Sequence, residues 1–384
     1  MRCDIIIPIW NQLEFTRDCI KHLICSTRFP FRLILIDNGS GEETRRYLEG
    51  LIDDISLDCQ LIRNEKNLGF IKAVNQGLKA SSAPYICIMN NDTIPAPGWL
   101  ERMVEFAETR KDIGLVNPQC GGHGNIPLDV YARTLEKRRG RYMEMNQCQG
   151  FCMLLKKEVV DKIGLLDESF GIGGYDDTDY SMRAHLAGYR CVAIQDSYVY
   201  HRLHSSFNES GDREEWVKRN QKIYYDKWGR HLRVGLAVSM SKLDKEALRR
   251  VVQFTYGMAR QWSWAHIWIN SGNDRASIMN VIDEILVEER LPAHQNIRMN
   301  FFRMPGWLFA VTVAGKMLER MRKRMRDKKF DAVIAFGGMA SSISSTAAIM
   351  KAMIFRVDLA EDIPDWEKKG KDIALLIKAK RVAV

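Results

Sequence analysis

Short isoleucine-rich runs alternate with amphipathic stretches along the N-terminal part of the chain. Cys3–Ile9 reads CDIIIPI, apolar at nearly every position, which predicts a strand buried on both faces. Pro8 closes this run and Trp10-Asn11 opens a turn. Glu14–Ser26 then gathers Phe15, Cys19, Ile20, Leu23 and Ile24 on one helical face. The rhythm continues with strand Phe31–Ile36, helix Thr44–Ile52, strand Cys59–Asn64, a turn at Asn67–Phe70, helix Ile71–Ala80 and strand Tyr85–Met89. This alternation predicts an open α/β sheet with right-handed crossovers. Ligands of such sheets bind at the carboxyl ends of the strands. Polar clusters fall at those ends: Asp37-Asn38-Gly39-Ser40, Asn64 to Gly69, and Asn90-Asn91-Asp92-Thr93.

Further along, Ile113–Pro118 and Gln147–Leu155 read as strands. The Gly121–Met145 stretch between them, with its KRRGRYMEM run, reads as a mobile or acceptor-facing loop. Gly164–Phe207 concentrates the chemistry. Asp176, Asp177 and Asp179 come after a glycine loop at Gly171–Gly174, and a helix Tyr180–Ala187 carries Arg183. A short strand then leads to His201 and His204. Paired carboxylates with a histidine after them suit metal-assisted group transfer, one acid serving as base and His or Asp holding a cation. The plainer reading makes Asp176 or Asp177 the N-cap of the helix. Helix Asp212–Trp228 closes the first domain.

A second alternation starts at Val234. It predicts strands Val234–Met240, Ala265–Ile269, Asn296–Phe302, Phe330–Phe336 and Met353–Asp358. Helices fall between and after them at Asp244–Gln261, Ser277–Glu289, Leu308–Lys329, Ser341–Ala352 and Lys371–Ala379. The helix from Leu308 carries a stripe of Val313, Met317, Met321 and Met325, which reads as core. Gly337-Gly338, ahead of a helix, reads as a tight turn or a phosphate cradle. The expected domains are therefore residues 1–230 and 231–384, the second a Rossmann-like α/β domain.

Composition sharpens this picture in three ways. The chain has 384 residues, ample for two domains, with a formal net charge of +9. Residues 235–384 hold 25 basic and 16 acidic residues, so the whole excess lies in the second half. A basic surface there suits anionic partners such as a membrane face or a phospholipid acceptor, although a solvated helix face explains it as simply. The nine cysteines show no metal-ligand spacing and suit reduced thiols in a cytoplasm. No signal peptide precedes the first strand, and the uncharged run Ala332–Met350 reads as strand, turn and helix rather than as a membrane span.

Five segments in order resemble glycosyltransferase family 2 across about Met1–Trp228. They are IIIPIWN, LILIDNGS, NLGFIKAVNQGL, YICIMNNDT with its adjoining Pro-Gly-Trp-Leu, and GYDDTDYSMRAHLAGYR. The resemblance implies an α/β chain with the GT-A nucleotide-diphospho-sugar transferase fold, and an inverting, metal-dependent transferase. Its substrates would be a UDP- or dTDP-sugar donor and a glycan or lipid-linked acceptor, as in bacterial surface polysaccharide biosynthesis. It implies that Asp37 binds the base, with Pro8 and Trp10 lining the base and ribose pocket. Asn67, Gly69 and Asn91 lie near the nucleotide, and Lys72 near the phosphates. Asp92 matches the last acid of the family's D-x-D motif and His201 its late histidine; together they imply a site for Mn²⁺ or Mg²⁺. Asn90 departs from that motif and removes one charge. Asp177 matches the catalytic base. Asp176, Gln149 and Gly150 match acceptor-side positions, and Asp179 a structural acid. The helix closing the first domain resembles one that lies beside acceptor or membrane; with the reduced thiols, the expectation is a cytoplasmic protein in peripheral contact with the inner membrane face. More weakly, residues 234–384 resemble the N-terminal half of a GT-B, family 4-like transferase.

Two other readings stay open. A nucleotidyltransferase would use a related sheet and metal, but it needs a glycine- and basic-rich phosphate loop after the first strand, and Pro8-Ile9-Trp10-Asn11 is not one. A non-catalytic sugar-nucleotide-binding or scaffold protein is favoured by Asn90 and opposed by Asp92, Asp177 and His201. Nucleic acid is not an expected partner, since no recognised binding module appears.

Overall fold

The computed structural model describes residues 1–54, 57–202, 213–319, 329–336 and 352–382. The chain divides into two compact units, Met1–Gly229 and Arg230–Val384.

In the first unit, the apolar runs become β1 (Cys3–Ile9), β2 (Phe31–Asn38), β3 (Cys59–Asn64) and β4 (Tyr85–Met89). These four are parallel, in the order β3-β2-β1-β4. The sheet continues through β8 (Cys152–Lys156), β6 (Ile113–Gln119), β9 (Arg190–His201) and β7 (Tyr142–Met145), and β5 (Thr93–Pro95) pairs with β9. Helices α1 (Leu13–Ser26), α2 (Glu42–Ile52) and α3 (Phe70–Ala80) form the crossovers. Next come α4 (Trp99–Glu108), α5 (Leu128–Leu135), α6 (Lys157–Ile163), α7 (Asp176–Leu186) and α8 (Arg213–Trp228). One apolar cluster joins β1, β2 and β4 to α1 and α4 through residues such as Ile5, Leu35, Cys87, Leu23 and Trp99. The architecture is the α/β sheet with helical crossovers that the sequence predicts.

Several expectations need correction. Pro8 does not close β1, which runs on to Ile9. Pairing with β4 stops at Ile6, so the missing N–H of Pro8 costs that ladder nothing. Asp37 and Asn38 belong to β2 rather than to the turn after it. Gln147–Phe151 is not strand, because β8 begins only at Cys152. Gly121–Met145 is not one loop: it folds α5, a 3-10 turn at Glu136–Arg138, and β7. The strand before His201 spans 12 residues and is not short.

In the second unit, β10 (Leu232–Met240), β11 (Ser263–Ser271), the two-residue β12 (Ala293–His294), β13 (Ile297–Phe302), β14 (Ala332–Phe336) and β15 (Met353–Val357) come in sequence. Five of them form a parallel sheet in the order β13-β11-β10-β14-β15, a Rossmann-like arrangement. Helices α9 (Lys245–Ala259) and α10 (Arg275–Glu288), with the C-terminal helix Trp366–Val382, pack on one core. Helix α11 (Gly306–Glu319) packs Phe309, Val313 and Met317 on another, against Trp268 and Val333. Met321, Met325, Gly337-Gly338 and the expected helix from Ser341 lie outside the described residues, as does His204 in the first unit.

Helix α9 and the C-terminal helix meet backbone to backbone. A Cβ on Gly257 would stand 1.9 Å from the Glu367 carbonyl oxygen, and one on Gly370 would stand 2.0 Å from that of Phe254. Neither carbonyl can turn aside without breaking its own helix. Gly257→Ala should therefore destabilise the second unit by about 1–3 kcal/mol, seen as a lower unfolding midpoint by circular dichroism. Gly229→Ala, with nothing near its Cβ but a φ of 74°, tests the separate cost of a left-handed backbone.

Candidate active site

The polar clusters at the strand ends fold into a connected network. At the end of β2, Asn38 is buried and accepts N–H bonds from Leu68 (3.0 Å) and from the Asn64 amide (3.0 Å). Its own amide donates to Asn67 Oδ1 at 2.8 Å. Asn67 Oδ1 also accepts the Gly69 N–H at 2.9 Å. Gly69 reaches the glycine loop, where its Cβ would lie 3.4 Å from Ile172 Cα. The turn at Asn67–Gly69 is thereby set beside the loop that precedes the acidic cluster.

Asp37 is wholly buried. Its Oδ1 accepts the Ser40 N–H at 2.9 Å and its Oδ2 accepts from the Arg63 guanidinium. The first bond is the turn-forming contact expected of an Asp in Asp-Asn-Gly-Ser. Asp37 therefore does not present an open carboxylate at the sheet edge. Pro8 is buried, whereas Trp10 is 41% exposed. Asn11 ties that segment down, with its N–H on Ser40 Oγ and its Oδ1 accepting the Gly41 N–H. Lys72 is exposed.

Beyond β4 the residues separate by role. Asn91 turns away from the edge, its amide donating to Thr16 Oγ1 of α1 at 3.0 Å. Asp92 and His201 come together, Oδ1 to Nε2 at 3.1 Å, both largely buried. Asn90 Nδ2 lies 3.4 Å from the same His201 nitrogen, and Asn90 Oδ1 is buried with no hydrogen-bond partner. The Asp92 carboxylate, the His201 imidazole and the Asn90 amide thus meet in one small space. An orphaned carbonyl there is costly unless something electropositive meets it. This donor set suits a divalent cation that shares its remaining positions with phosphate oxygens. Among the described residues no three His, Cys, Asp or Glu side chains gather in a group that could hold a metal ion.

The acidic cluster starts α7 but does not cap it. The N-cap is Tyr175, in left-handed backbone at φ 68°, and it makes no side-chain cap bond. Gly171, Gly173 and Gly174 also hold positive φ, a path L-residues strain to adopt. Buried Asn220 of α8 fastens this loop, its amide donating to the carbonyls of Phe170, Gly173 and Gly174. Asp176 Oδ1 accepts the Gly174 N–H at 2.7 Å. Asp177 Oδ1 accepts the Thr178 N–H at 2.7 Å and its Oδ2 the Gly150 N–H at 3.2 Å. Asp179 is structural, held by Arg183, Lys227 and the Trp228 indole N–H.

Burial lifts both acids of the Asp176–Asp177 pair. Asp176, pushed also by the neighbouring Asp177 charge, rises to about 7. Asp177 moves upward as well, mainly through burial, against the N–H bonds it accepts.

Two residues that the sequence patterns did not single out join these halves. Asn117 of β6 clasps the turn before β8, its amide donating to Gln149 O (2.9 Å) and Cys152 O (2.6 Å) and its Oδ1 accepting the Gln149 N–H (2.7 Å). Phe151 in that turn stacks on His201, with centroids 5.2 Å apart and planes 15° apart, and its carbonyl accepts the Asn90 N–H. One turn therefore carries Gly150 on Asp177 and Phe151 on the His201 cluster. No periodicity marks either residue; only the Gln-Gly pair hinted at the turn.

Comparison with known proteins agrees with the early motifs. Residues 4–164 match the model of Glycosyl transferase family 2. This segment is a glycosyl transferase family 2 domain. An uncharacterized protein of Sinorhizobium fredii is 24% identical over 255 residues, 59% of this chain but 27% of that protein. The chain thus spans little more than a quarter of that relative. An uncharacterized glycosyltransferase of Haemophilus influenzae is 25% identical over 259 residues, 62% of this chain and 79% of that protein. Among solved structures, S. aureus TarS 1-349 in complex with UDP-GlcNAc aligns with a TM-score of 0.45 at 12% identity, covering 92% of this chain and 93% of that one. The family 2 segment ends at the start of the Gly164–Phe207 stretch, so the acidic pair lies just beyond it. Among the described residues no helix is long and apolar enough to cross a membrane.

The raised pKa of Asp176 has a signed consequence. Its folded value of about 7 exceeds its ordinary 3.8, so the native state keeps a proton that the unfolded chain loses. That contribution to stability is complete below pH 3.8 and is lost as pH rises through about 7. Asp176→Asn should leave the melting temperature unchanged near pH 4 and raise it above wild type near pH 8. Equal melting curves at both pH values would remove the shift.

Proposed function

We propose that this protein is an inverting glycosyltransferase. It moves a sugar from a nucleoside diphosphate donor, UDP or dTDP favoured, to a hydroxyl of a glycan or lipid-linked acceptor in polysaccharide assembly. One observation carries the reading: a single clasped turn connects Asp177 to the Asn90, Asp92 and His201 cluster. A base and an anion-neutralising centre held in fixed relation are what direct displacement at a sugar carbon needs.

Asp177 removes the proton from the acceptor hydroxyl as its oxygen attacks the anomeric carbon. Attack on the face opposite the leaving diphosphate inverts that carbon, and no covalent bond to the protein forms. The upward shift of Asp177 makes it a stronger proton acceptor than an ordinary carboxylate. Asp176, its carboxyl pushed up to about 7 by burial and by the Asp177 charge, orients the acceptor. Gln149, exposed beside Gly150, completes the acceptor side.

Asp92, His201 and Asn90 Oδ1 would hold Mn²⁺ or Mg²⁺, which when bound offsets the charge of the donor diphosphate and of the departing one. The exposed indole of Trp10 offers a stacking face for the base. Asp37 acts on the base only when Arg63 releases it; otherwise it shapes the pocket through Ser40 and Asn11. Asn67 and Gly69 form the wall next to the glycine loop. Asn91 supports Asp92 from behind through Thr16. All nine cysteines are free thiols, which suits a reducing cytoplasm, and a lipid-linked acceptor would bring the enzyme to the inner membrane face.

Calorimetric titration with UDP, dTDP and GDP, with and without Mn²⁺, tests the reading. One nucleotide should bind only with the metal present, and Asp92→Ala should weaken that binding about tenfold or more. Asp177→Asn should keep donor binding and lower transfer on the order of a thousandfold. Transfer at the wild-type rate in Asp177→Asn would sink the base assignment.

A further inference from the structure

The second unit contains a cavity of about 460 Å³ that the proposed transfer does not use. It lies at the carboxyl ends of β10, β11 and β13, the edge at which open α/β sheets bind ligands. Strand register sets its polar groups side by side: Ser239 is paired with Asn270, and Met240 with Ser271. Asn270 is 4% exposed and forms the floor. Its amide donates to Ser239 Oγ (3.2 Å) and Met304 O (3.0 Å), and its Oδ1 accepts the Met304 N–H (3.1 Å). One buried side chain therefore locks the ends of β10 and β11 to the segment after β13. A cavity braced this way is built before a ligand arrives.

Its charge is one-sided. Arg303 lines the cavity, is exposed, and forms no ion pair among the described residues. Among those residues no acidic side chain lines it. The acid that feels Arg303 is Asp274, whose carboxylate is already committed to capping α10 at the Ser277 N–H. Gly306, the first residue of α11, lies on the wall. The first backbone bond of that helix runs from Phe309 N–H to Pro305 O, so the N–H groups ahead of it have no partner within the helix. Hydroxyls at Ser241 and Ser271 complete the polar side, and Met240 and Met304 supply two apolar contacts.

We propose that this cavity is a second ligand site, specific for a phosphorylated sugar. Arg303 and the first turn of α11 hold the phosphate. Ser239, Ser241 and Ser271 exchange hydrogen bonds with the sugar hydroxyls, and the methionines pack against the ring. The volume falls within the roughly 300–1,000 Å³ of small-molecule sites. The proposal is independent of the reading of the family 2 domain, since every residue it uses lies in the second unit.

The test is calorimetry of the full chain in metal-free buffer containing EDTA, which keeps a metal-dependent donor site unloaded. The probes are hexose 1-phosphates and 6-phosphates, the free hexoses, and inorganic phosphate. At least one hexose phosphate should bind, about tenfold or more tightly than inorganic phosphate or its parent sugar. Arg303→Gln, an exposed change that spares the core, should weaken that binding about tenfold, and Ser271→Ala should weaken it less. Asp92→Ala should leave it unchanged. No binding of any hexose phosphate overturns the proposal, as does affinity unaffected by Arg303→Gln. Inorganic phosphate binding as tightly as the esters would leave an adventitious ion only. Loss of binding in Asp92→Ala would assign it to the first unit.

Discussion

Three hydrogen bonds from one buried asparagine hold the candidate site together. Asn117 sits on β6 and grips the Gln149–Cys152 turn at both ends. That turn is not regular structure, so nothing in a strand or helix ladder fixes its shape. It nevertheless presents the Gly150 N–H to Asp177, the Phe151 ring to His201 and the Phe151 carbonyl to Asn90. Without the clasp, the acid on α7 and the donors beyond β4 and β9 would be independent parts. Buried, fully used amides of this kind specify geometry, because each bond they lose leaves an unpaired group away from water.

The electrostatics arise from the same packing. Two carboxylates side by side at the head of α7 repel each other, and their burial raises the cost of ionising both. The positive end of the helix and the N–H groups of Gly174, Gly150 and Thr178 offset part of that cost. Asp179, one residue beyond Thr178, is treated differently. Its partners are Arg183, Lys227 and an indole N–H, so its charge goes to fastening α8. Three acids within four positions thus have three different sets of partners.

The strand–helix alternation was legible because apolar runs and helical stripes are written into local sequence. The strands β1 to β4 and the second sheet were expected close to where they stand. Asp92, His201 and Asp177 stood out in the sequence as candidates, since few residue types suit such chemistry. What local pattern could not convey was partnership. Asp37 read as a base-binding acid, and nothing local announced that Arg63, from the neighbouring strand, would be its partner. Asn91 read as part of a ligand motif, yet its side chain serves α1. Gly121–Met145 looked loop-like because it is polar, and its helix and strand are stabilised by contacts from elsewhere, such as Ala132 and Leu135 against Tyr198. Asn117 and Phe151 carried no signal, because an asparagine in a strand and a phenylalanine beside a glycine are ordinary until their neighbours are known.

The close approach of Gly257 to the Glu367 carbonyl, and of Gly370 to that of Phe254, bears on how the second unit is made. Neither helix has a side chain at the crossing, so each completes the surface of the other. During synthesis, α9 and the strands β10 and β11 emerge well before Trp366–Val382. Until that last helix appears, the core that α9 shares with it lacks Trp366, Ile373, Ala374 and Ile377. The half-made unit therefore exposes apolar surface on the ribosome for as long as the intervening chain takes to translate, and this is the interval in which a chaperone would find it.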